Sequence, residues 1–335
     1  MPKHAARKQE LPETIQRLQH AFWDSRVLLT AVELDLFSAL SEGADTAAAA
    51  ASRVRAAPRS IARLLDALVV LGILSRDGDR YVLDTAAADL LVPGRPDYQG
   101  GLRHAANLWN AWSTLTDAVR AGTSVKPRRE GAARTAHREN FIAAMQSIGM
   151  RRASLIVGSL DLTGVRRVLD LGGASGAYAM EFVRRGDGLR AAVFDLLDVL
   201  PLTRRYLQEA DMADCVDTVP GDYLVDGFGE GWDLIFMSNI IHINDPAENA
   251  DLVVRAAAAL GPRGRIVIQD FVPEDDRTGP RFPVLFALNM LVNTRAGDTY
   301  TLHEIRAWTD AAGLNWLDPI ETNVPSTLVM AQRPS

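Results

Sequence analysis

A single cysteine, Cys215, in 335 residues leaves no partner for an intramolecular disulfide and no thiolate cluster for a metal. No apolar run approaches the roughly 20 residues that span a bilayer, and nothing at the start resembles a secretory leader. Disulfide-stapled and membrane-spanning classes are therefore excluded, and a reducing, cytoplasmic setting is the expectation. Positive charge is also short. The formal net charge is -6, whereas a nucleic-acid binder calls for a basic surface, so no nucleic-acid partner is expected. Lysine is scarce beside arginine, which we read as compositional bias. The first half of the chain is nonetheless net basic and the second half strongly acidic.

What is present suffices for two domains of ordinary size. Hydrophobic residues make up 47% and charged residues 23%, a balance that buries full cores and excludes disorder. From Leu11 to Leu40 apolar residues recur at helical spacing, which predicts two consecutive helices after a polar, frayed start at residues 1 to 10. Thr46 to Asp84 reads as helix, turn, helix and hairpin, with Asp77-Gly78-Asp79 between two short alternating runs as the hairpin signal. That is a winged helix. Arg59 and Arg63 are its only arms for DNA on the second helix, so a packing or dimer module is the better reading. One helix is expected from Arg103 to Arg120, carrying Trp109 and Trp112, then a Gly- and Pro-rich connection over 122–135, then a long helix from Ala136 to Ser159. After Val168 strand and helix alternate, which builds a parallel sheet covered on both faces.

The central stretch is Val168 to Tyr178, Val-Leu-Asp-Leu-Gly-Gly-Ala-Ser-Gly-Ala-Tyr. It reads as a buried strand, a glycine-rich turn at Gly172, Gly173 and Gly176, and a helix start. Dinucleotide turns offer a helix N-terminus to a pyrophosphate. Asp170, just ahead of the glycines, would repel that anion and attract an ammonium or sulfonium group, such as the methionine part of S-adenosylmethionine (SAM). A plain tight turn is the alternative. Asp195 follows about twenty positions later at a strand end, where a carboxylate accepts ribose hydroxyls. Asp222 and Tyr223, after the next strand, suit an exocyclic amine and a base. His242 lies just past the fourth strand, where imidazole can take a proton near neutral pH, and Asp270 ends the adjacent strand. The other histidines are scattered, and no metal is expected.

Together, Asp170-Leu171-Gly172-Gly173-Ala174-Ser175-Gly176, Phe194-Asp195-Leu196, Gly221-Asp222-Tyr223, Ser238-Asn239-Ile240-Ile241-His242 and Gln269-Asp270-Phe271, behind a winged-helix half, resemble the small-molecule O-methyltransferases of the plant caffeate and bacterial antibiotic-pathway type. The resemblance runs from about Leu18 to Gln332. It implies an α/β fold: a Rossmann-like methyltransferase sheet, mostly parallel with its last strand antiparallel, behind a helical winged-helix dimerisation domain. It also implies a homodimer and SAM as donor. The expected division is 1–100 for dimerisation, 101–160 for linking helices along the acceptor pocket, and 161–335 for SAM binding.

Carried over by position, the glycine turn holds the methionine end, Asp195 with Leu196 the ribose, Asp222 with Tyr223 the adenine, and Ser238 with Asn239 border the donor. His242 is the catalytic base. Its orienting group maps to Asp270 or, with a different gap, to Gln269. Phe141 and Met145 match a helix that walls the cofactor and acceptor in the family, and Asn289, Met290 and Asn293 fall in the segment that lines its acceptor pocket; Trp109 and Phe286 are further candidates for that wall. Three departures stand out. The histidine continues Ile243-Asn244-Asp245 where the family often has Asp-Trp; Ser238 replaces a residue that binds the methionine carboxylate; and a second orienting acid near Thr299 is missing. The expected reaction is O-methylation of an aromatic or polyketide-like hydroxyl. The alternatives are a non-methylating hydroxylation, decarboxylation or cyclisation on the same fold, and a DNA-binding metabolite sensor. Asp170 disfavours a nicotinamide dehydrogenase.

Overall fold

The computed structural model describes residues 2–95, 97–127 and 131–334, and the chain divides into two compact units, Met1–Leu108 and Trp109–Ser335. In the first unit, α1 (Pro2–Glu33) and α2 (Leu36–Ser41) are the two helices predicted by apolar spacing. The frayed start is corrected, for α1 begins at Pro2, in a stretch rich in Ala, Arg, Lys, Gln and Glu, all good helix formers. Further along α1, Leu11, Ile15, Leu18, Phe22 and Trp23 are each 50% exposed or more.

α3 (Ala47–Val54) starts where the Thr46 hydroxyl accepts the Ala49 N–H at 3.3 Å, and α4 (Pro58–Val70) has proline at its first position, where the missing N–H costs nothing. β1 (Ser75–Asp77) and β2 (Arg80–Val82) pair with Asp77 opposite Arg80, so Gly78 and Asp79 form the two-residue turn. α5 (Thr85–Leu91) follows. Leu36, Phe37, Ile61, Leu65, Leu68 and Tyr81 form the core of this winged helix.

The single helix expected from Arg103 to Arg120 is instead two, α6 (Gly101–Trp112) and α7 (Leu115–Ala121). The Ser113 and Thr114 hydroxyls bond back to the carbonyls of Asn110 and Ala111 at 2.8 and 2.7 Å. Such local bonds compete with the helical ladder. α8 (Gly131–Gly158) begins earlier than the expected Ala136; residues 128–130 of the expected connection lie outside the described residues.

The second unit then alternates as predicted: β3 (Arg167–Leu171), α9 (Ala177–Arg185), β4 (Arg190–Asp195), α10 (Leu200–Glu209), β5 (Val216–Pro220), β6 (Trp232–Ser238), a 3-10 turn at Ile241–Ile243, α11 (Pro246–Ala259), β7 (Leu260–Asp270), α12 (Arg281–Asn293), α13 (Leu302–Ala311), β8 (Asn315–Glu321) and β9 (Thr327–Gln332). The strands order as β5-β4-β3-β6-β7-β9-β8. The first five are parallel and β9 is antiparallel to both of its neighbours.

Strand side chains alternate faces, and here both faces are covered. Leu169, Leu171, Phe194, Ile235 and Met237 pack with Leu252, Val253 and Ala256 of α11 and with Ile305 and Trp308 of α13. Val168, Val193, Leu234 and Phe236 pack with Ile156 and Val157 of α8 and Met180 and Phe182 of α9. Each fully buried side chain of this size contributes about 1.5–3 kcal/mol. Because β3 has β4 on one side and β6 on the other, strand order reverses at β3. The carboxyl ends of β3, β4 and β6 therefore border the crevice in which open α/β sheets receive ligands. Among the described residues, no helix is long and apolar enough to cross a membrane.

Candidate functional site

The turn after β3 is shaped around Asp170. A Cβ at Gly173 would lie 2.5 Å from the Asp170 carboxyl carbon, and one at Gly172, at φ +67°, would run into Ile240. Only glycine lets this backbone close over the carboxylate. Asp170 is fully buried. Its Oδ2 accepts the Ala179 N–H at 3.2 Å, in the first turn of α9, while Oδ1 is buried with no partner. Burial pushes this carboxyl up to about 7; the Asp195 charge adds to the rise and the Ala179 bond opposes it.

An unpaired buried acceptor beneath a bare backbone fits a cationic, donor-bearing ligand and does not fit a phosphate. A second buried acceptor without a partner, Gln146 Oε1, lies on α8, one turn before Gly149, where a Cβ would come within 2.8 Å of Ala177 at the start of α9.

Asp195 is half-buried at the end of β4, and its two oxygens accept the Ala174 and Leu196 N–H groups at 2.9 and 2.7 Å. Burial raises its carboxyl, these two bonds oppose the rise, and the Asp198 charge adds to it. Asp195 is thus tied to the glycine turn while retaining lone pairs for a diol. At the end of β5, Asp222 Oδ1 accepts the Leu224 N–H at 2.9 Å, and the Tyr223 hydroxyl donates to Asn244 Oδ1 at 3.2 Å. Burial first, then the charges of Asp222 and Asp195, push the Tyr223 phenol up to about 12. Its hydroxyl is therefore engaged, and the ring and backbone are what remain for a base.

Ser238 Oγ donates to Gln269 Oε1 and accepts from Asn239 Nδ2, each at 2.9 Å, and Gln269 Nε2 donates to Ser326 Oγ at 3.1 Å. Gln269 is thus committed to this network. Asp270 is the partner of the histidine: its Oδ1 lies 2.7 Å from His242 Nδ1 and also accepts the Phe271 N–H at 2.8 Å. A carboxylate only accepts, so Nδ1 carries the proton and Nε2 is left as the accepting nitrogen. His242 is 7% exposed and Asp270 2%.

The turn that carries the histidine is pinned by side chains that sequence reading missed. Asn249 Nδ2 donates to the Ile241 carbonyl at 2.9 Å, Asn244 Nδ2 to Asn249 Oδ1 at 3.0 Å, and the Tyr300 hydroxyl to the Asn244 carbonyl at 2.5 Å. The only sequence signal was the asparagine at 244, in the place of the family's Asp-Trp. Phe286 of α12 meets the imidazole edge to face at 5.0 Å between ring centres, and Phe271 stacks beyond at 6.0 Å.

Arg152 of α8 was also missed. It is half-buried, makes no hydrogen bond or ion pair with any described residue, and its charge reaches Tyr178. Burial raises the Tyr178 phenol; its bonds to Gln269 and Ser238, and then the Arg152 charge, oppose the rise. Among the described residues it is thus a cation without a partner, acting on the tyrosine that adjoins the Ser238 network.

Of the expected acceptor wall, Phe286, Asn289, Met290 and Asn293 share one face of α12. Phe141 and Met145 lie one turn apart on α8, Phe141 37% exposed. Trp109 is half-buried on α6, and Trp112 at its end donates to Asn289 Oδ1 at 2.9 Å. A cleft of about 360 Å³ opens on the other face of α12, lined by Gly122, Leu288, Leu291, Arg295 and Asp298 among others. None of the turn or dyad residues lines it.

Comparison with known proteins matches residues 112–315 to an O-methyltransferase domain and residues 16–94 to an O-methyltransferase dimerisation domain. A 3-hydroxy-5-methyl-1-naphthoate 3-O-methyltransferase of Streptomyces sahachiroi is 32% identical over 308 residues, 90% of this chain and 89% of that protein. A tetracenomycin polyketide synthesis 8-O-methyl transferase of Streptomyces glaucescens is 32% identical over 330 residues, 96% of this chain and 97% of that one. Among solved structures, human N-acetylserotonin methyltransferase in complex with SAM superposes with a TM-score of 0.86 at 26% identity, covering 97% of this chain and 98% of that chain.

Proposed function

The chain belongs to the SAM-dependent O-methyltransferase family, and on that premise we propose that it methylates a hydroxyl of an aromatic or polyketide-like small molecule, with His242 as general base. The observation that carries the assignment of the base is the 2.7 Å contact from Asp270 to His242 Nδ1 at the ligand edge of the sheet. The naphthoate and tetracenomycin relatives support an aromatic acceptor. The dimerisation-domain match supports assembly as a homodimer, in which the exposed row on α1 gains its cover.

When bound, SAM supplies an electrophilic methyl group on a sulfonium. The residues of this chain have to hold it, exclude water and accept one proton. Asp170, beneath Gly172, Gly173 and Gly176, supplies negative charge to the methionine end. Asp195 with Leu196 takes the ribose, and Asp222 with Tyr223 the base; Ser238 and Asn239 border the donor. His242 Nε2 takes the acceptor's hydroxyl proton, and Asp270 fixes the ring and steadies the imidazolium that results. Incubation with SAM and a panel of phenols and hydroxyquinones tests the reading by mass spectrometry. The expected result is a gain of one methyl per adenosylhomocysteine released. A product formed from the acceptor without a methyl gain and without adenosylhomocysteine release would sink the proposal in favour of the non-methylating alternative.

We assign the methionine carboxylate to Arg152, because Ser238 is uncharged and already bonded to Gln269. A hydrogen bond to a charged group is worth about 1.5–3 kcal/mol. Arg152→Met is therefore expected to weaken SAM binding by roughly ten- to a hundredfold, while decarboxylated SAM binds variant and wild type alike. Calorimetry with both ligands checks this; equal losses for both would remove Arg152 from the assignment.

A further inference from the structure

We propose that Asn289 is a specificity residue: its amide nitrogen donates a hydrogen bond to a carbonyl-type oxygen of the acceptor. The enzyme thereby selects aromatic hydroxyl compounds that carry a keto, quinone or carboxyl oxygen near the hydroxyl to be methylated. The inference rests on the reading above that this face of α12 lines the acceptor space.

The direction of the bond follows from donors that cannot be reversed. Lys126 Nζ only donates, and it lies 2.6 Å from Asn293 Oδ1. That fixes the Asn293 amide with its nitrogen toward Asn289, where it donates to the Asn289 carbonyl at 2.9 Å and to Oδ1 at 3.1 Å. Trp112 Nε1, also donor-only, gives a second bond to the same Oδ1 at 2.9 Å. Both lone pairs of Asn289 Oδ1 are then used. Its orientation cannot flip without placing N–H against N–H.

The Asn289 nitrogen consequently points away from this chain of amides with its two N–H groups, and no described residue accepts from it. Asn289 is 8% exposed, and among the described residues the buried side-chain atoms left without partners are Arg138 Nε, Gln146 Oε1 and Asp170 Oδ1. Asn289 Nδ2 is not among them, so it reaches open space. It lies on the face that carries Phe286, whose ring contacts His242, and one helical turn further on, about 5 Å along the axis. A flat acceptor with its hydroxyl at His242 would bring a neighbouring ring, or a substituent on the same ring, to Asn289. An acceptor without an oxygen there strips water from two N–H groups and returns nothing, and such sites discriminate strongly. The Lys126 charge behind Asn293 polarises the chain in the donating direction.

The test compares kcat/KM for 1- and 2-hydroxyanthraquinone with that for 1- and 2-hydroxyanthracene, in wild type, Asn289→Asp and Asn289→Leu. Asn289→Asp keeps an oxygen for Trp112 and Asn293 but replaces the donating nitrogen by an acceptor. In the wild type the better quinone is expected to lead its carbonyl-free analogue by about ten- to a hundredfold. In both variants that ratio collapses, because the quinone loses far more than the anthracene. A wild type indifferent to the carbonyl, or variants that slow both compounds in equal proportion, would overturn the proposal. If none of the four is methylated, the activity reading is what has failed for this panel. Binding of the same compounds, read by tryptophan quenching, then decides the carbonyl preference: tighter quinone binding that depends on Asn289 sustains it, and equal binding refutes it.

Discussion

His242→Ala is expected to lower single-turnover methyl transfer by on the order of 10² to 10⁴ while SAM affinity stays where it is. The imidazole is the group at the carboxyl edge of the sheet with an accepting nitrogen left over, since Nδ1 is committed to Asp270 at 2.7 Å. Nothing else in the turn replaces it. Asn244 and Asn249 are bonded to each other at 3.0 Å and to the backbone, and neither is a base at neutral pH. Removal of the ring also leaves the Asp270 carboxylate, 2% exposed, without its imidazole donor, at a stability cost of about 1–3 kcal/mol. The variant must therefore be shown to be folded by its melting temperature before its rate is read. Added imidazole is expected to recover part of the lost rate. Near-full turnover without rescue would show that positioning alone carries the reaction and that the base assignment is wrong.

Asp170→Asn is expected to do two opposite things. It should abolish most SAM binding and yet raise the melting temperature of the ligand-free protein at pH 8 by several degrees. Burial holds the Asp170 carboxyl near 7, against an ordinary value of 3.8. A raised folded value means that folding favours the protonated form. The stabilisation is then complete below about pH 4 and is lost as pH rises through about 7, by up to about 4 kcal/mol. At pH 8 the free protein carries a buried charge with one unpaired oxygen, which a neutral amide avoids. The charge that acts on the group is that of Asp195, which deepens the effect. A cationic donor reverses the preference, so wild-type SAM affinity should rise between pH 6 and 8 and that of adenosylhomocysteine should rise less. Melting curves at pH 5 to 8, with and without SAM, check both halves. Parallel pH profiles for wild type and variant would refute the account.

Asp170 shows how far a sequence can be read. An acid followed by glycines implies a cation at a helix start by electrostatics alone, and strand periodicity around Val168 buries the acid without any knowledge of the partners. The alternation after Val168 likewise implied the sheet, because side chains that alternate along a strand need cover on both faces. Where reading failed, the failures were local or distant. The split between α6 and α7 depended on two hydroxyls folding back onto their own carbonyls, a competition that composition does not decide. The choice between Gln269 and Asp270 differed by one residue, and a one-residue step along a strand turns the side chain to the other face.

The sequence by itself determined the fold class and the donor's sign of charge, because each follows from periodicity or from charges near in the chain. Tertiary structure alone decided what His242 leans on, that Tyr300 and Asn249 brace its turn, that Arg152 has no partner among the described residues, and which way the Asn289 amide faces. Those are matters of hydrogen-bond direction between residues from a few to well over a hundred positions apart, and direction is fixed only when the donors and acceptors are brought to within about 3 Å of one another.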